Sequence, residues 1–116
     1  MKWYSPKNVD LLSSNEIIME AEVSPESPWF SGHFPGEPIL PGVAQLEMAL
    51  DAIKRLNRKS LRISGVKRVR FKQVIRPDDK LGITVAPHKK DAFSYLFRIM
   101  VNGELAGSGI LMVEEL

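Results

Sequence analysis

Cysteine is absent from this chain of 116 residues. That excludes disulfides, thiolate nucleophiles and cysteine-bound metals. Long apolar runs are absent too. No stretch approaches the roughly 20 residues needed to cross a bilayer. The opening MKWYSPKNVDLL has no apolar core of signal-peptide length. We therefore expect a soluble, cytoplasmic protein. Net charge is scarce at +2, too little to argue for nucleic acid by itself. Histidine is scarce as well, with His33 and His88 the only two. No repeat, low-complexity tract or linker divides the chain, so residues 1–116 read as one domain. A single core is feasible at this length, but its margin is thin and self-association would widen it.

What is present is a change of period along the chain. Residues 1–14 read as irregular. Glu16–Val23 reads as a strand, followed by turn chemistry in SPESP, since prolines do not sit in a ladder interior. FSGHFPGEPILPG, residues 30–42, mixes prolines, glycines and large apolar residues. Fixed φ at each proline and permissive φ at each glycine make it a shaped loop. Val43–Leu56 is the one clear helix. Val43, Leu46, Leu50 and Ile53 recur at helical spacing, with Ala49 and Leu56 widening the stripe. Pro41 suits its first turn, and Lys54, Arg55, Arg58 and Lys59 complement the dipole at its end. Four strands follow, at about Leu61–Ile75, Lys80–Val85, Ala92–Val101 and Glu104–Val113. Asn102-Gly103 is the strongest hairpin signal. One helix against a mostly antiparallel sheet is an α+β layout.

Chemistry concentrates around that helix. His88 sits in the turn APHKKD and reads as solvated. His33 stands among Phe30, Phe34, Pro35 and Ile39. It is either a packed loop residue or a general base, because burial in apolar surroundings favours the neutral imidazole. Glu47 borders the apolar stripe. It either snorkels outward or sits in a crevice, where a carboxyl group would hold its proton and serve as an acid. The start of the helix at Gly42 and Val43 leaves amides without intrahelical acceptors, which suits a developing oxyanion. A base, an acid and an oxyanion site together fit proton abstraction next to a carbonyl.

The run SGHFPGEPILPGVAQLE resembles the signature of the FabA/FabZ-type 3-hydroxyacyl-(acyl carrier protein) dehydratases, G-H-F-P-G-x-P-x-x-P-G-V-x-x-x-E. Every fixed position matches from Gly32 to Glu47. GVKRVRFKQVIRPDDKL and GELAGSGILMV resemble later strands of the same family. The resemblance implies a hot-dog fold, a long central helix wrapped by a curled antiparallel sheet. It implies a homodimer, often assembled as a trimer of dimers, with His33 of one copy facing Glu47 of the other. His33 would take the C2 proton of a (3R)-3-hydroxyacyl thioester. Glu47 would protonate or hold the departing hydroxyl, and the amide of Gly42 or Val43 would polarise the thioester carbonyl. No metal or organic cofactor is implied. The partner is an acyl carrier protein.

Two positions depart from the family pattern. Asp51 stands where the family commonly has glutamine, and it either shares a neighbourhood with Glu47 or is solvated. Leu61-Arg62-Ile63-Ser64 replaces the aromatic residues common before the glycine matching Gly65. Arg68, Arg70 and Lys72 alternate along one strand, with Lys67 and Arg76 nearby. That stripe is either a solvated face or a dock for an acidic carrier protein. Two rivals remain at this stage: a hot-dog thioesterase, which would activate water against the thioester, and a non-catalytic acyl-binding subunit.

Overall fold

The computed structural model describes residues 3–12, 15–30 and 39–116. Two strands, β1 (Ser5–Leu11) and β2 (Ile17–Glu22), precede a 3-10 turn at Pro28–Phe30. The helix α1 (Gly42–Asn57) follows, and then β3 (Leu61–Phe71), β4 (Leu81–Pro87), β5 (Ser94–Val101) and β6 (Glu104–Glu115). All pairings are antiparallel, in the order β1-β2-β4-β5-β6-β3. This is the expected α+β, hot-dog layout, with one helix packed against every strand from β2 to β6.

Period-two burial builds the concave side. Ile17, Met19 and Ala21 of β2 face Leu81, Ile83 and Val85 of β4, then Phe97, Ile99 and Val101 of β5. The helix meets them with Ala44, Met48, Ala49, Ala52 and Ile53, all fully buried. The alanines let the helix lie close to the sheet. Each large side chain so covered contributes about 1.5–3 kcal/mol of transfer free energy.

Three expectations need correction. Within the stretch 1–14 that reads as irregular, Ser5–Leu11 forms an edge strand on β2. Its residues are mostly exposed and include Pro6, so it carries neither apolar alternation nor β propensity. The buried face of α1 is also rotated from the predicted stripe. Val43 is 54% exposed, while Ala44, Gln45 and Met48 are buried. Finally, β3 stops at Phe71 rather than Ile75.

The hairpin at Asn102-Gly103 is as expected, with positive φ at both residues and Val101 opposite Glu104. The helix ends at Arg58, whose φ of 56° is left-handed and whose amide donates to the Lys54 carbonyl at 2.7 Å. Among the described residues, no helix is long and apolar enough to cross a membrane.

Candidate active site

The first two turns of α1 hold Gly42, Val43 and Glu47, three of the residues expected to act. Pro41 is the N-cap, in extended conformation with no side-chain cap, and the Ala44 amide donates to its carbonyl at 3.0 Å. The amides of Gly42 and Val43 therefore have no intrahelical acceptor and carry the positive end of the dipole. The Phe71 ring abuts Gly42 closely: a methyl group there would fall 2.5 Å from it. Only glycine leaves the helix start open beside that ring.

Glu47 is exposed in the single chain. It lies one turn after the exposed Val43, on the flank of the helix away from the core. Of its two sequence readings, the crevice is not formed among the described residues. Phe71, Val66 and Val74 are likewise 42–45% exposed. Of these, the Phe71 ring lies directly against the helix start at Gly42.

His33 lies outside the described residues, as do positions 31–38 of the motif. The residues that bracket them are fixed. The Phe30 amide donates to Ser27 at 3.0 Å, and the Leu40 amide to Ile75 at 2.8 Å, with both Phe30 and Leu40 buried.

Asp51 is neither solvated nor engaged with Glu47 alone. Its carboxylate accepts the hydroxyl of Tyr4, a buried residue just ahead of β1. Burial pushes the Tyr4 hydroxyl pKa well above its usual value, and the Asp51 hydrogen bond and charge push it further. The Arg55 cation opposes that shift and the Glu47 charge adds to it.

The basic stripe differs from its prediction. Lys67 pairs with Ile110 and Arg70 with Ser108, so β3 holds one extra residue there, and Arg68 takes a φ of 52°. This bulge breaks the alternation that would have aligned Arg68, Arg70 and Lys72 on one face. Lys72 lies past the strand, bonded through its amide to the Ala106 carbonyl. All five cations, Lys67, Arg68, Arg70, Lys72 and Arg76, are nonetheless exposed. Lys67, Arg68, Arg70 and Lys72 make no ion pair among the described residues, whereas Lys7, Lys59 and Arg62 each do. His88 has a local role: its Nδ1 accepts the Lys90 amide at 3.2 Å within its own turn.

Sequence reasoning missed two residues near the site. Gln45 is 2% exposed, and its Oε1 has no hydrogen-bond partner among the described residues. That oxygen lies against Gly107, where a side chain would collide with it. Tyr4 was passed over inside a stretch read as irregular. Neither carries a local pattern; only the fold brings them in.

Comparison with known proteins agrees with this layout. The ApeI-like family, described as ApeI dehydratase, matches residues 9–109. The 3-hydroxyacyl-[acyl-carrier-protein] dehydratase FabZ of Haemophilus influenzae is 37% identical over 100 residues, covering 78% of this chain and 68% of that protein. The FabZ of Oenococcus oeni is 33% identical over 113 residues, covering 90% and 81%. Among solved structures, the dehydratase heterocomplex ApeI:P of Xenorhabdus doucetiae superposes with a TM-score of 0.85 at 25% identity, covering 97% of this chain and 98% of that one. With the G-H-F-P-G to Glu47 motif and the helix-in-sheet fold already in place, these matches show that the chain belongs to the ApeI-like dehydratases, a hot-dog family.

Proposed function

We propose that this chain is a cytoplasmic enzyme that removes water from (3R)-3-hydroxyacyl thioesters on an acyl carrier protein, giving trans-2-enoyl thioesters. The acid–base pair is His33 of one copy and Glu47 of a second. The thioester carbonyl docks at the amides of Gly42 and Val43, where the helix dipole stabilises the enolate oxygen as C2 loses its proton. His33 takes that proton. Glu47 gives one to the β-hydroxyl, which leaves as water while the C2–C3 double bond forms. Return of the proton from His33 to Glu47 resets the pair. Each step is proton transfer, and no cofactor enters.

One observation supports the reading above all: an exposed carboxylate one turn from an uncapped helix start, which the half-exposed Phe71 ring abuts at Gly42. A second copy over that surface would exclude water and strengthen each charge interaction. Such dimers pair further into trimers of dimers in the family that the motif resembles. The exposed cations Lys67, Arg68, Arg70, Lys72 and Arg76 would steer the acidic carrier protein.

The test is hydration of a trans-2-enoyl thioester by folded His33→Ala and Glu47→Gln proteins. Both should lose at least about 100-fold in kcat, the usual scale of a general acid or base. Activity at the native level in either would end the assignment. Release of free thiol would instead point to a thioesterase. Changing Arg68, Arg70 and Lys72 together should raise KM for carrier-protein substrates and spare short thioester analogues. Equal effects on both substrates would refute the docking role. A chain inactive alone and active only with a different hot-dog protein would replace the homodimer with a heterocomplex, as in the Xenorhabdus neighbour.

A further inference from the structure

Two tyrosines are buried, Tyr4 and Tyr95. Tyr95 has a structural task at the far end of the helix, where its hydroxyl donates to Asn57 at 3.1 Å. Tyr4 is tied to the other end of the chemistry. Its hydroxyl reaches across 47 positions of sequence to the Asp51 carboxylate, one turn after Glu47 on α1. Glu47 is near enough for its charge to act on that hydroxyl. Trp3, the preceding residue, stacks edge-on against Tyr4 with ring centroids 4.8 Å apart, and against Trp29 at 5.9 Å. Trp29 belongs to the 3-10 turn that leads directly into the segment carrying His33. Residues 3 and 4 thus touch both the helix that presents Glu47 and the turn from which the His33 segment departs.

We infer that Tyr4 is a positioning residue for Glu47, fixing its turn of α1 through Asp51 while Trp3, packed on Trp29, holds the Tyr4 ring in place. The inference rests on the assignment of His33 and Glu47 above. Both anchoring groups suit the task. Aromatic side chains turn about two torsions and lose little freedom when packed. A hydroxyl held by a carboxylate makes a charge-assisted bond, stronger than one between neutral groups. Proton transfer is sensitive to such support, because displacement of a catalytic group by about 1 Å can cost roughly 100-fold in rate.

The experiment uses the full chain and an enoyl thioester on carrier protein. Tyr4→Phe keeps the ring and its stacking and removes only the bond. It should lower kcat about tenfold, a partial misplacement on the scale just given, with KM within twofold of native. KM is spared because neither the carrier dock nor the helix-start amides are touched. Asp51→Ala should lose at least as much, and adding Tyr4→Phe to it should cost nothing further, since the bond is already gone. Losses that multiply would show two independent effects and overturn the inference. So would a Tyr4→Phe kcat within twofold of native, or a loss that merely follows the folded fraction by circular dichroism. His33→Ala and Glu47→Gln run beside these. If they are inactive while Tyr4→Phe is normal, only the positioning role falls; if they are active, the site itself is wrong.

Discussion

Replacing Gln45 by methionine should stabilise this protein by about 1 kcal/mol, although it removes a polar group. The amide is 2% exposed and its Oε1 is buried without a partner among the described residues. An unsatisfied buried acceptor costs roughly 1–3 kcal/mol relative to an apolar group of the same shape. A weak C–H···O contact of that oxygen with Gly107, against which it lies, would offset at most about 0.5–1 kcal/mol. Methionine matches glutamine in length and bends around irregular gaps, so repacking costs under about 1.5 kcal/mol and little if the rotamer is kept. At this size 1 kcal/mol corresponds to roughly 3–5 °C in Tm. Urea unfolding followed by the fluorescence of Trp3 and Trp29 would measure it, at fixed protein concentration because association also contributes. A midpoint that moves up with an unchanged slope is the expected result. A loss of 1 kcal/mol or more would refute the reasoning, since it would mean that the oxygen is satisfied in solution by water or by a second chain.

Two further outcomes follow from backbone and charge. Arg58 ends α1 at a φ of 56°, so Arg58→Gly should gain about 0.5–1 kcal/mol in thermal unfolding, and a loss would mean that the arginine side chain matters more than its backbone. Tyr4 holds its proton more tightly when folded, first through burial, so its contribution is fully present below about pH 10 and lost as pH rises beyond that. Tyr4→Phe should flatten the alkaline fall in stability by up to about 1.4 kcal/mol per pH unit, measured by urea midpoints between pH 9 and 11.5; an identical slope would remove the coupling.

The legible parts of the sequence were those with a local rule. Asn102-Gly103 specifies its turn, and the 3.6 period locates α1 to within a residue at each end. The motif from Gly32 to Glu47 points to the family that the comparisons show. What stayed hidden depends on distant partners. β1 is a strand because β2 offers it an open ladder, not because SPKNVDL prefers one. The rotation of α1 could not be read because apolar residues lie nearly all round its first turns, and the alanines win the inner positions by size. Asp51 reads as solvated or as a neighbour of Glu47 until Tyr4 arrives from the far end of the chain. The stripe was misaligned because no residue type announces a bulge.

That bulge reaches beyond the cations it scatters. β3 and β1 are the two free margins of the sheet, and both are irregular: β3 breaks register twice, and β1 breaks once beside Pro6. A straight margin would template any extended chain that met it and could polymerise end to end. Kinked margins admit only a strand with the complementary bend, so assembly can stop at a closed, finite particle rather than grow into a fibre.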